Sequence, residues 1–283
     1  MVKLLDSARL RLGSQKRNGG WVLSEKMYTA AEYQAFYEAD DPQRLGRDEM
    51  PEQRAITSQW LIHCAEQAGP VLELGCGRGA LAEVHPEYVG LDFSKSGLKK
   101  FRSSKRRVNG DMQRLPIRTA SIRCVFSWAA IEHVPNPELV LEEVCRILRP
   151  GGLAILAPAW NCRSWAAEGL PVRSYQDLTW IQRAQKATIP IRDHIIWRAA
   201  WAVPRRLFRE LGRLRGHPTP FKYHRLRPNL TEYVYTDCDA FTSMDPHSSI
   251  LFFETRGWDV LSHPTALARL FARHEPVVVR KPK

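Results

Sequence analysis

Residues 71–79 read V-L-E-L-G-C-G-R-G, an apolar run interrupted by one acid and closed by three glycines at alternate positions. Val71, Leu72 and Leu74 suit a short parallel strand covered on both faces, since such strands carry continuous rather than alternating hydrophobic residues. Gly75, Gly77 and Gly79 lack a Cβ, so the backbone after the strand can take positive φ and admit a ligand closely. A helix beginning near Ala80 is expected to aim free N–H groups and its positive end at a bound group. Strand, glycine turn and helix in this order point to an α/β fold on a parallel sheet. Taken alone, the nine residues also admit a plain buried strand and turn with no ligand.

The spacing discriminates between ligands. A dinucleotide site calls for G-x-G-x-x-G, whose third glycine lets helix and strand pack closely. Here the pattern is G-x-G-x-G, preceded by Glu73. An acid so near the turn suits a ligand bearing an ammonium and a sulfonium, which is S-adenosylmethionine. Val89-Gly90-Leu91-Asp92 then reads as a second strand ending in an acid, 13 residues after Gly79. A carboxylate there can accept both ribose hydroxyls. Asn109-Gly110-Asp111-Met112 closes a third strand, with Asp111 placed to accept from an adenine amino group and Met112 against the ring. Residues 122–127 read as a fourth strand that runs into Trp128-Ala129-Ala130-Ile131-Glu132-His133. Residues 137–148 have a helical pattern ended by Arg149-Pro150-Gly151-Gly152, and 153–157 make a fifth strand.

These motifs make residues 71–158 resemble the class I S-adenosylmethionine-dependent methyltransferases, in particular the ubiquinone/menaquinone-biosynthesis-like (methyltransferase type 11) subgroup. The shared runs, in order, are E-L-G-C-G-R-G, G-L-D-F-S, G-D-M-Q-R-L-P, I-E-H-V-P-N-P and L-R-P-G-G. Residues 249–256 fit the family's last helix, capped by Gly257, with strands at 258–261 and 276–280. The likeness covers about 70–158 and 246–283. It implies a doubly wound, Rossmann-like sheet of seven strands with the last antiparallel. To this the chain adds an N-terminal lid (1–50) and a large, mostly helical insertion (160–245) after the fifth strand, beside a methyltransferase domain at 51–159 and 246–283. The implied donor site comprises Glu73, Gly75, Cys76, Gly77, Gly79, Asp92, Phe93, Ser94, Asp111, Met112, Ser127 and Trp128.

A sulfonium is already a good leaving group, so transfer asks chiefly for alignment and a desolvated nucleophile. A hydroxyl acceptor still benefits from a base. His133 is the first candidate, because the carboxyl ends of the strands face the crevice in such folds; its alternative role is a local hydrogen bond. His247 is a second, near Asp237, Asp239 and Asp245, which equally suit ordinary turns and caps. No donor spacing there is fixed by a helix or strand, so no metal is expected. Thr29 and Glu32 form a capping box that starts a helix carrying Tyr33, Phe36 and Tyr37 on one face. Those aromatics either line the active site or staple the helix down; Tyr33, Tyr37 and Trp160 are the residues expected at the acceptor.

Charge and tryptophan concentrate in the unmatched region. Residues 160–235 hold 14 Lys/Arg against 5 Asp/Glu, so they carry +9 of the net +12, and five of the nine tryptophans. Within 191–215, Trp197, Trp201, Phe208 and Leu211 alternate with Arg198, Arg205, Arg206, Arg209 and Arg213 at near-helical spacing, and Pro204 is expected to split the segment. Three readings stay open: contact with an anionic membrane surface, a cap helix packed on the core, or recognition of a polyanionic acceptor. Lys3, Arg9 and Arg11 among leucines offer a second interfacial helix or a frayed tail. Nucleic acid is disfavoured, because the fourth strand ends in Ser127-Trp128-Ala129-Ala130 where base-amino methylases of this fold have Asp/Asn-Pro-Pro-aromatic. No run of about 18 apolar residues occurs, the first residues lack a signal-peptide core, and six cysteines include no C-x-x-C pair. A reduced, cytoplasmic setting follows, with peripheral membrane association where the basic segment makes contact. The expected function is methylation, on oxygen or carbon, of a small or lipid-linked acceptor near a membrane. A soluble secondary metabolite or saccharide as acceptor, or a catalytically silent donor-binding module, are the alternatives.

Overall fold

The computed structural model describes residues 30–39, 49–64, 68–213, 218–231 and 234–283. The basic segment at 3–17, the Thr29 cap, Leu214, Arg215 and His217 lie outside the described residues. Helices α1 (Ala30–Glu38) and α2 (Pro51–Leu61) precede β1 (Val71–Leu74), β2 (Tyr88–Asp92), α3 (Lys95–Lys99), β3 (Arg106–Asn109) and β4 (Ile122–Trp128). Next come α4 (Pro137–Ile147), β5 (Leu148–Ala157), α5 (Trp180–Asp193), α6 (Ile195–Arg213), β6 (Tyr223–Arg225) and β7 (Thr242–Met244). The chain ends with α7 (Pro246–Glu254), β8 (Asp259–Val260), α8 (Ala266–Leu270) and β9 (Val277–Arg280).

Seven strands form one sheet in the order β3-β2-β1-β4-β5-β9-β8. The first five are parallel, and β9 runs antiparallel to both neighbours, as the sequence implied. All four residues of β1 are buried. Alternate residues feed two apolar layers: Leu72, Leu74, Val125 and Leu156 on one side, Val71, Cys124, Phe126 and Ile155 on the other. Strand β1 pairs with both β2 and β4, so the strand order reverses there. Ligands of open α/β sheets collect outside the carboxyl ends of the strands at such a reversal.

Four local expectations are corrected. No α-helix starts at Ala80; a single 3-10 turn (Ala82–Val84) leads into β2. Pro86 disfavours helical geometry at His85, which is extended at φ −150° and ψ 143°, so there is no room for a helix. Strand β5 begins at Leu148 directly after α4, and Arg149-Pro150-Gly151-Gly152 forms an irregularity inside it, where Gly151 has φ 73°. Helix α7 begins at Pro246, not 249, because Asp245 caps it by accepting from the His247 N–H and proline suits the first helical position. Pro204 does not split α6: Ala200, whose carbonyl loses a donor, is exposed, so water can replace the bond. The break falls at His194 instead, at ψ 136°. The insertion has a small core of its own, Trp165, Leu170 and Leu178 with Ile189.

Candidate active site

The glycine loop after β1 is set by steric limits. Gly75 sits at φ 76°, and a Cβ there would stand 2.3 Å from the Ala130 Cβ. Gly79, at φ 83°, would meet the Phe101 ring at 2.5 Å. Asp92 ties this loop to the end of β2: Oδ2 accepts from the Gly77 N–H at 2.7 Å and Oδ1 from the Ser94 N–H at 2.8 Å. Burial raises the Asp92 pKa, and the Ser94 and Gly77 N–H groups oppose that rise. Each oxygen keeps acceptor capacity beyond its backbone bond, which suits a vicinal diol. Asp111, past β3, accepts from the Gln113 N–H at 2.8 Å, and Met112 is buried next to the loop. This donor set and a glycine cradle that any side chain would close fit an adenosyl sulfonium.

Other expected donor contacts serve the frame. Glu73 is 4% exposed and accepts a short hydrogen bond from the Tyr88 hydroxyl; burial pushes its carboxyl up to about 8, against the pull of that bond. Ser127 is fully buried and donates to the Leu74 carbonyl at 2.9 Å, joining β4 to β1. Trp128 donates from Nε1 to Thr57 Oγ1 at 3.0 Å, which holds α2 against the sheet. Cys76 is buried against Gly90, where a Cβ would lie 2.7 Å from its Sγ.

Helix α1 covers the carboxyl edge. The Glu38 carboxylate accepts from the Lys95 and Ser96 N–H groups at 2.7 and 2.9 Å, and Ser94 Oγ donates to the Tyr37 carbonyl at 2.8 Å. The Tyr33 ring packs on Phe93 at 5.3 Å and on Tyr37 at 4.9 Å, and its hydroxyl donates to the His133 carbonyl at 2.9 Å. Burial raises the Tyr33 phenol first, followed by the nearby charges of Asp111, Asp92 and Asp239. Tyr33 therefore stands between the donor carboxylates and a second acidic group.

That group surrounds His133. Asp239 Oδ2 lies 3.4 Å from Nδ1 and Glu132 Oε1 3.6 Å from Nε2. Glu132 is fully buried. The Tyr37 hydroxyl donates to Asp239 Oδ2 at 3.0 Å. The Phe241 N–H donates to the Glu132 carbonyl at 2.9 Å, which anchors the Asp239 segment beside the β4 exit. Burial pulls the His133 imidazole down, but Asp239, Glu132 and Asp237 outweigh it and hold it above its ordinary value. Burial raises the carboxyls of Glu132 and Asp237. The sequence groups Asp239 with His247 rather than with His133, and the acid directly before His133, Glu132, is the one local signal of this cluster.

The remaining candidates lie elsewhere. His247 is fully buried in an ion network between α6, α7 and α8, with Nε2 3.1 Å from Glu210 Oε1. Burial holds its imidazole at about 4, despite Asp245 and Glu210. Trp160 belongs to the main core, its Nε1 donating to the Glu275 carbonyl at 3.2 Å. Among the described residues no group of three or more His, Cys, Asp or Glu is arranged to hold a metal ion.

Helix α6 is turned inside out. Arg206 and Glu210 are buried, paired with Asp245 and Arg269, and Arg213 reaches Glu254 at 3.0 Å. Trp197, Trp201, Phe208 and Leu211 face outward, Trp201 at 67% and Phe208 at 75% exposure. The arginines expected at lipid headgroups are in large part turned inward, held by acids across the packed face. No described helix is long and apolar enough to cross a membrane.

Residues 72–156 match a family model described as a methyltransferase domain. The chain is 28% identical over 221 residues to a fatty-acid O-methyltransferase of Mycolicibacterium smegmatis, covering 70% of this chain and 78% of that protein. It is 35% identical over 112 residues to the phthiotriol/phenolphthiotriol dimycocerosates methyltransferase of Mycobacterium tuberculosis, covering 35% of this chain and 42% of that one. The chain thus spans less than half the length of this second relative. Among solved structures, an S-adenosylmethionine-bound amino pentose methyltransferase of Micromonospora echinaspora superposes at a TM-score of 0.36 with 20% identity, covering 48% of this chain and 59% of that one.

Proposed function

We propose that this S-adenosylmethionine-dependent methyltransferase methylates an oxygen of a lipid-linked acceptor at a bilayer surface. The observation that carries the proposal is the outer face of α6. Soluble monomers rarely leave a contiguous stripe of large apolar side chains uncovered, and Trp197, Trp201, Phe208 and Leu211 make one. An acyl boundary covers such a stripe, and aromatic side chains anchor well there. Two relatives are named for lipids, one for fatty acids and one for phthiotriol dimycocerosates, which supports a lipid acceptor and leaves its charge open. With the paired arginines turned inward, apolar insertion dominates and headgroup charge is secondary.

The donor brings a methyl group on a sulfonium. The chain's own part is to hold the ribose on Asp92, leave space for the backbone approach at Gly75 and Gly79, and exclude water with α1. Vesicle flotation tests the surface, and radiolabelled methyl transfer into a lipid extract tests the chemistry. Co-migration with neutral as well as anionic vesicles, weakly reduced by salt, is expected. Absence of co-migration, or label only in water-soluble products, would overturn the reading. Trp201→Glu with Phe208→Glu is expected to abolish flotation while leaving donor binding intact.

A further inference from the structure

We propose that His133 is the general base for an uncharged lipid hydroxyl, that Asp239 is its positioning residue, and that Tyr37 locks the pair when α1 covers the crevice. This rests on the methyl-transfer reading above. The geometry supplies each part. Asp239 Oδ2 lies 3.4 Å from His133 Nδ1, an ionic approach without hydrogen-bond geometry, and accepts from the Tyr37 hydroxyl at 3.0 Å. The Nε2 side faces Glu132 at 3.6 Å, beyond hydrogen-bond reach, and Glu132 is fully buried, with the backbone of Glu132 and Ala159 opposing the rise that burial gives its carboxyl. Tyr33 links this cluster to the donor carboxylates, packing on Phe93 while bonding the His133 carbonyl.

The same cluster selects the acceptor's charge. Three carboxyls (Glu132, Asp237 and Asp239) share one imidazole, and among the described residues no Lys or Arg forms an ion pair with any of them. The titrating groups facing His133 are those three, with the phenols of Tyr33 and Tyr37 on α1. A carboxylate acceptor would enter against like charge, with no Lys or Arg among the described residues paired to these acids, whereas a neutral hydroxyl enters without that opposition. In the step itself the acceptor oxygen bonds to the methyl carbon as the methyl–sulfur bond breaks. The electron pair stays on sulfur, the hydroxyl proton passes to Nε2, and the imidazolium later releases it to water.

The test has two arms on the full chain. In the first, the His133 imidazole is titrated by NMR without donor. Asp239→Asn is expected to lower its midpoint by ~1 pH unit or more, and Tyr37→Phe, which frees Asp239 and removes no bulk, to raise it. An unchanged midpoint in both variants overturns the dyad. In the second arm, hexadecanol and hexadecanoic acid are offered in phosphatidylcholine vesicles with radiolabelled donor. Methylation of the alcohol over the acid is expected, with Asp239→Asn lowering kcat ~100-fold and moving the acidic limb of the pH profile alongside the midpoint. Preferential methylation of the acid overturns the assignment of acceptor charge. Transfer to neither lipid, with donor binding intact, overturns both the lipid acceptor and the lipid-surface reading, and the titration then decides the dyad separately.

Discussion

The Asp92 carboxylate and the Gly77 N–H are joined by a 2.7 Å hydrogen bond that fastens the end of β2 to the glycine loop after β1. The second oxygen holds the Ser94 N–H, so one side chain shapes both walls of the crevice. Asp92→Ala removes both bonds and, on the proposed donor site, the acceptor for the ribose hydroxyls. Hydrogen bonds to a charged group contribute about 1.5–3 kcal/mol each, so donor affinity should fall at least ~100-fold. Calorimetric titration with S-adenosylmethionine checks this, and unchanged affinity would remove the carboxylate from the donor site.

Glu73 is a buried acid whose carboxyl is pushed up to about 8. The unfolded chain loses this proton near 4.5, whereas the folded protein keeps it until about 8. Stability therefore falls as pH rises through that window, and above it the loss reaches ~5 kcal/mol at most. Glu73→Gln should make the donor-free protein more stable than wild type at pH 8.5 and leave it little changed at pH 4.5. Urea unfolding at the two pH values reads the difference. A gap that is equal at both would show that the carboxyl is ionised throughout.

The sheet was legible because its signals are local. Val71 to Leu74 form a buried run, the glycines have no steric substitute, and Asp92 closes a strand that pairs in register with β1. The helix expected at Ala80 is absent for an equally local reason, the Pro86 that holds His85 extended. The acidic group at His133 was only half legible. His133 stood out at the strand exit, but its partner Asp239 is 106 residues away in sequence, brought there by the anchoring of Phe241 and Thr242 on the Glu132 carbonyl and by the Tyr37 hydroxyl. Helix α6 was legible as amphipathic, while its orientation stayed open among the readings. Its period shows two faces, but which face turns inward is decided by Asp245, Glu254 and Arg269, which lie on other elements.

The Glu38 carboxylate is one of the ties that hold helix α1 over the crevice. Glu38 accepts from two N–H groups at the start of α3, and α1 makes its other crevice contacts through Tyr33 and Tyr37. Glu38→Ala should cost ~1 kcal/mol, as for loss of a helix cap. It should also speed amide exchange in residues 30–38 and 94–99 without changing exchange in β1 or β4. Hydrogen exchange followed by mass spectrometry separates these segments. Equal acceleration across the sheet would mean that the residue supports the whole domain and not the lid.

The buried network beneath α6 ties acid stability to His247. Its imidazole titrates near 6.5 in the unfolded chain and at about 4 in the folded one, because burial disfavours the cation. Between these values the unfolded chain binds the extra proton, so stability falls as pH drops, by ~3 kcal/mol at full effect. Asp245 and Glu210 have depressed carboxyl pKa values, Asp245 through Arg206 and Glu210 through Arg269, against the opposing effect of burial. They add to the loss in the same direction at lower pH. Glu73 works the opposite way over part of the window, so the measurement must compare variants. Relative to wild type, His247→Gln should lose less stability between pH 7 and pH 4.5, and Glu73→Gln should lose more. If the His247→Gln and wild-type curves stay parallel over that range, His247 is charged in the folded protein and Glu210 holds it as a true ion pair.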